Sequence, residues 1–87
     1  MSDVNVVLWA KNGCSYCEDV KEFFAEKQID YKVIDVTEHD NRRDILEAKY
    51  GVRYVPVIEI GKDGQYTGVT ELGLKALEKE LKLQKVL

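Results

Sequence analysis

Val4-Asn5-Val6-Val7-Leu8-Trp9-Ala10 is a nearly continuous apolar run with β-branched enrichment, the pattern of a strand buried on both faces. Such a strand belongs at the centre of a sheet, and the rest of the chain must supply a layer for each face. Lys11-Asn12-Gly13 breaks the run. From about Cys14 to Gln28 the positions Cys17, Val20, Phe23 and Phe24, with the stem of Lys27, recur at helical spacing. Tyr31-Lys32-Val33-Ile34-Asp35-Val36 alternates well enough for a second strand, parallel to the first by the right-handed crossover rule. Thr37-Glu38-His39-Asp40 offers capping oxygens to a second helix, whose modest apolar face is Ile45, Leu46, Ala48 and Tyr50 and whose stop is Gly51. Tyr54 to Ile60 reads as a third strand with Pro56 near its start, Gly61-Lys62-Asp63-Gly64 as a turn, and Gln65-Tyr66-Thr67 as the antiparallel return. Thr70 is placed to cap a last helix with Leu74, Leu77 and Leu81 on its inner face beside Leu72 and Ala76, while Lys85-Val86-Leu87 is expected to fray. The order β-α-β-α-β-β-α describes a layered α/β domain, a four-stranded mixed sheet flanked by three helices, and residues 1–87 are expected to form one unit.

Size and charge narrow the partners. With 87 residues, 45% hydrophobic and 33% charged, there is apolar material for a core. The formal net charge of -3 gives no basic field for phosphates, so nucleic acid and anionic membranes are not expected partners. No apolar run approaches the roughly 20 residues of a membrane span, and Met1-Ser2-Asp3 does not begin like a signal peptide. The expectation is a cytoplasmic monomer acting on a small neutral or thiol substrate.

Cys14 and Cys17 are the two cysteines, too few and too close for the staples of a secreted mini-protein. They bracket Ser15 and Tyr16 at a strand-to-helix junction, where residues three apart share a helix face and the two sulfurs can meet. A thiolate is the nucleophile, and a free thiol near pKa ~8.5 is only a few per cent ionised at neutral pH. A helix N-terminus alone contributes about 0.3–1 kcal/mol, so direct donors must add to it. The backbone N–H groups of Tyr16 and Cys17, the Ser15 hydroxyl and the Lys11 ammonium are available, while Glu18 and Asp19 oppose a nearby anion. Cys14 is the expected nucleophile, with Cys17, one turn deeper, attacking the mixed disulfide to release product. Other readings of the pair are half of a zinc site completed by His39, a soft-metal carrier, or a reduced pair without a role. A structural zinc lacks its remaining ligands here, and a carrier has no need of Pro56.

Taken together these residues resemble the glutaredoxin family of the thioredoxin-fold superfamily along almost the whole chain. Cys14-Ser15-Tyr16-Cys17 is similar to the family's Cys-Pro-Tyr-Cys, Lys11 and Lys21 fall on family lysines, and Gly51-Val52-Arg53-Tyr54-Val55-Pro56 is similar to Gly-x-x-Thr-Val-Pro. The resemblance implies a thioredoxin-like fold and a thiol-disulfide oxidoreductase that reduces protein disulfides or glutathione mixed disulfides, with no bound cofactor or metal and with glutathione as reductant or co-substrate. It implies a cis bond before Pro56, which from the residues alone could equally be a trans proline opening an edge strand. It also implies that Val55 pairs its backbone with the substrate, that Lys11 and Arg53 meet a glycine carboxylate of glutathione, and that Val69 and Thr70 meet its γ-glutamyl end. Thr67-Gly68-Val69-Thr70-Glu71 departs from the usual Gly-Gly and acidic pattern. The chain lies between that pattern and the Ser-Gly-Phe type segment of NrdH redoxins, which are reduced by thioredoxin reductase and supply ribonucleotide reductase, so an NrdH-like redoxin is the alternative that the resemblance implies; an iron–sulfur or metal carrier is the non-enzymatic alternative.

Among the remaining residues, Trp9 is expected to pack in the core or near the dithiol, Tyr16 to shape a substrate groove, and His39 to be solvated or capping.

Overall fold

The computed structural model describes residues 4–87, so the expectation drawn from Met1-Ser2-Asp3 lies outside the described residues. The elements are β1 (Asn5–Ala10), α1 (Ser15–Glu26), β2 (Lys32–Asp35), α2 (Asp40–Tyr50), β3 (Val57–Lys62), β4 (Gln65–Val69) and α3 (Lys75–Leu83), in the expected order. The sheet runs β2-β1-β3-β4. β1 is central, parallel to β2 and antiparallel to β3, with β4 as antiparallel edge.

Register divides the sheet into two faces. Val6 and Leu8 stand beside Ile60 and Ile58, and Val7 and Trp9 beside Glu59 and Val57. Lys49 and Tyr50 reach Glu59, which puts α2 over the second face. α1 and α3 are left to cover the first, where Leu8, Ile58 and Ile60 are buried with Phe24, Leu77 and Leu81 in one cluster. Burying each such side chain contributes about 1.5–3 kcal/mol.

Several boundaries differ from the sequence reading. β3 starts at Val57, because Tyr54, Val55 and the N–H-less Pro56 lie outside the ladder. It continues through Gly61 and Lys62, so the hairpin turn shrinks to Asp63-Gly64, both at positive φ (54° and 79°) as a two-residue hairpin requires. Leu46 alone of the α2 face is buried; Ile45 and Ala48 are exposed and Tyr50 half-buried. Leu72 is also exposed.

Thr70 does not cap α3. Gly73 at φ 95° interrupts the chain with a conformation no helix contains, so α3 begins after it, with Leu74 at the N-cap and no side-chain cap. His39 precedes α2 without a capping bond. The nearby oxygens serve other groups: Thr37 N–H donates to Asp35 Oδ1 at 2.8 Å, and Thr37 Oγ1 accepts from Asn12 N–H at 2.8 Å.

The C-terminal residues are held rather than frayed. Val86 N–H donates to the Leu81 carbonyl at 2.8 Å and Lys85 N–H to that of Lys82 at 3.1 Å, with Lys85 at φ 62°. That is a Schellman ending, and it presses Val86 against the core. α1 ends the same way, with Gln28 at φ 56° and Ile29 N–H on the Phe24 carbonyl at 2.9 Å.

Candidate active site

β1 delivers Lys11 to the rim, and the segment after it is anchored where Asn12 N–H meets the Thr37 hydroxyl. The next residues turn through Gly13, at φ 74°, into α1. Cys14 is the N-cap of that helix, extended at φ −99° and ψ 112°. Its sulfur does what a serine or aspartate oxygen does at most helix starts: it accepts the Cys17 N–H, at 3.1 Å. The Cys14 carbonyl accepts the first intrahelical bond, from Glu18 N–H at 3.1 Å. The sulfur therefore lies where unpaired N–H groups and the positive end of the helix favour an anion.

Both cysteines are free thiols. Cys14 is 8% exposed and Cys17 fully buried. Burial pushes the Cys17 thiol up to about 11, the hydrogen bond and charge of the Cys14 sulfur push the same way, and the Lys11 backbone and Lys21 charge oppose them. Cys17 is thus held as a neutral thiol one turn below the rim.

The Val55–Pro56 bond is cis, as the family resemblance implied. The Cys14 Sγ points at the Val55 carbonyl oxygen, 3.9 Å away. Cys14, Cys17, Val55 and Pro56 therefore form one cluster from two distant segments. Val69, opposite Ile58 in the sheet, and Thr70 lie next to it: the Tyr54 hydroxyl donates to the Thr70 carbonyl at 2.9 Å. Tyr16, in the first turn of α1, is 47% exposed. Lys11 is exposed, and among the described residues its ammonium makes no ion pair.

Arg53 is not brought into this cluster as a free cation. Its guanidinium bonds Asp44 at 2.7 Å and Glu47 at 3.4 Å on α2, and its carbonyl accepts from Arg43 at 2.7 Å. Trp9 is also turned elsewhere: its indole N–H donates to Glu59 Oε1 at 2.7 Å. Glu59 is a buried carboxylate in mid-strand, with Lys49 at 3.0 Å and Tyr50 at 2.5 Å completing its partners. Burial alone would raise the Glu59 carboxyl, but the donors Tyr50, Trp9 and Lys49 outweigh it and hold the group below its ordinary range. Among the described residues no three His, Cys, Asp or Glu side chains are grouped to hold a metal ion.

Sequence reasoning passed over Tyr54 and Glu59. The signals were there: Tyr54 replaces a smaller threonine of the similar family segment, and Glu59 is a charge inside an apolar strand that must find donors.

The glutaredoxin family profile matches residues 6–65. N-acetyl-S-hydroxy-L-cysteine reductase of Bacillus subtilis (strain 168) is 56% identical over 79 residues, covering 90% of this chain and 85% of the relative. Mitochondrial glutaredoxin-2 of Homo sapiens is 37% identical over 71 residues, covering 78% of this chain but 42% of that longer protein. Among solved structures, wheat glutaredoxin superimposes with a TM-score of 0.70 at 30% identity, over 99% of this chain and 80% of that one. With its thioredoxin-like sheet and its paired thiols at the start of α1, the chain belongs to the glutaredoxin family of thiol-disulfide oxidoreductases.

Proposed function

We propose that the chain reduces S-oxidised cysteine derivatives by two-step exchange, Cys14 attacking and Cys17 resolving. The observation that carries this is the Cys14 sulfur itself, which accepts the Cys17 N–H at 3.1 Å at a helix N-terminus while its neighbour is buried and protonated. The thiolate of Cys14 attacks the oxidised sulfur of R–S–X, forming Cys14–S–S–R and expelling X, which leaves as a thiolate from a disulfide or as hydroxide from a sulfenic acid. Cys17 then gives up its proton and attacks the Cys14 sulfur. R–S⁻ departs and is protonated, and the two electrons of the dithiol have passed to the substrate.

Two of the effects that hold Cys17 protonated come from Cys14, through its hydrogen bond and its charge. Both lapse once that sulfur is in a mixed disulfide, so the resolving thiol becomes easier to ionise at the step that needs it. The Val55 backbone, beside the reacting sulfur, is the edge on which a substrate would lie, and the Lys11 ammonium suits a substrate carboxylate. The Bacillus subtilis relative, named for reducing an S-hydroxycysteine, supports small cysteine derivatives as substrates beside protein disulfides and glutathione mixed disulfides.

For regeneration, glutathione is the donor the family suggests. The occupied Arg53 favours a second reading, reduction by a thioredoxin reductase, because one of the cations expected for glutathione is already bound to Asp44 and Glu47. NADPH oxidation with N,N′-diacetylcystine as substrate tests both, with glutathione plus glutathione reductase in one arm and thioredoxin reductase in the other. Turnover that requires Cys14 in at least one arm is expected. Full turnover by Cys14→Ser would overturn the mechanism.

A further inference from the structure

The Tyr54 side chain leaves the backbone next to Val55 and ends on the Thr70 carbonyl at 2.9 Å, tying the segment before Pro56 to the turn after β4. The tether therefore starts one residue from the carbonyl that faces the Cys14 sulfur. Tyr54 is 44% exposed and Val55 only 7%. The bridge from Tyr54 to Thr70 is thus at the surface, beside a residue that is itself buried. A substrate joined to Cys14 and lying along Val55 would meet the residue next in the chain, whose hydroxyl is already engaged by Thr70.

Resting on the exchange reading above, we propose that Tyr54 sets the length of substrate the site accepts, admitting a single cysteine derivative of the N-acetylcysteine class and disfavouring the tripeptide glutathione. The selection is steric exclusion of the longer ligand, a device that discriminates without any new attraction to the shorter one.

The chemistry of the test is one exchange: the Cys14 thiolate and R–S–S–R give Cys14–S–S–R and R–S⁻. Cys17→Ser protein, which stops there, is mixed with N,N′-diacetylcystine or with glutathione disulfide, and adduct growth at Cys14 is followed by intact mass. Each rate is divided by that of the urea-unfolded protein with the same disulfide, which removes the intrinsic reactivity of the probe. With Tyr54 in place, the normalised N-acetylcysteine rate is expected to exceed the glutathione rate by about tenfold. Tyr54→Phe, which keeps the ring and releases the tether, should raise the glutathione rate in part. Tyr54→Ala should raise it by about tenfold while leaving the normalised N-acetylcysteine rate unchanged, whereas loss of structure would draw both rates to that of the unfolded chain. Equal normalised rates with Tyr54 present, or a ratio unmoved by Tyr54→Ala, would overturn the proposal while leaving the exchange reading intact. Absence of any adduct with either probe would overturn the exchange reading and this inference with it.

Discussion

At Cys17 burial and reactivity pull in opposite directions, and the sign of the effect can be followed through pH. Its thiol lies well above the ordinary 9.0, at about 11. Release of the second thiol occurs from the mixed disulfide, where the push from Cys14 has lapsed but burial, the largest cause, still raises the Cys17 thiol; its thiolate fraction grows with pH, so release should accelerate from neutrality upward in stopped-flow single turnovers. A rate flat from pH 7 to 9 would contradict the assignment of that step to Cys17. The same shift is a stability statement: a raised pKa stabilises fully below pH 9.0 and the contribution is lost as pH climbs towards 11. Glu59 runs the other way. Its carboxyl is depressed below the ordinary 4.5, so its contribution is complete above that pH and lost as acid protonates the folded protein below it. Glu59→Gln should flatten the acid limb of a pH–stability curve. Glu59→Ala, which leaves the donors of Trp9, Lys49 and Tyr50 unmatched, should cost about 1–3 kcal/mol in urea unfolding followed by Trp9 fluorescence.

At the scale of elements, two helices end on residues that a glycine would suit better. Gln28 and Lys85 both hold positive φ at exposed Schellman positions, 56° and 62°. Replacing Gln28 by Gly should raise stability by about 0.5–1 kcal/mol, because the left-handed conformation costs an L-residue more than glycine's added chain entropy costs in turn. An unchanged or lower urea midpoint would contradict the Schellman reading. These endings also show where a sequence is readable and where it is not. The strand β1, the stripe Val20-Phe23-Phe24 of α1 and the pair Leu77 and Leu81 of α3 declare themselves, since the first is a continuous apolar run buried on both faces and each helical set is a local periodicity matched to one buried face. Thr70 misled because a hydroxyl before an apolar stripe looks like a cap, and only the φ of Gly73 reveals that the helix starts later. The partners of Arg53 were not legible for a related reason: what it pairs with is decided by α2, which packs Asp44 and Glu47 within reach.

For the molecule as a whole, the site exists because four separated segments are held in one place. The end of β1 is anchored by Thr37, α1 presents the Cys14 sulfur, the segment before β3 brings Val55 to it, and Tyr54 joins that segment to the end of β4. The dithiol motif itself was legible from spacing and the neighbouring strand. Tyr54 and Glu59 stand out by residue type, but their partners were not legible, because each contact joins residues that only the completed sheet brings together. No helix among the described residues is long and apolar enough to cross a membrane. The most direct measurement of the account is the location of the first covalent bond. Reduced Cys17→Ser and Cys14→Ser proteins are each mixed with one equivalent of a mixed disulfide, quenched in acid and mapped by peptide mass. The account predicts a stable adduct on Cys14 in the first protein and none on Cys17 in the second over the same interval; an adduct accumulating on Cys17 while Cys14 stays unmodified would contradict it.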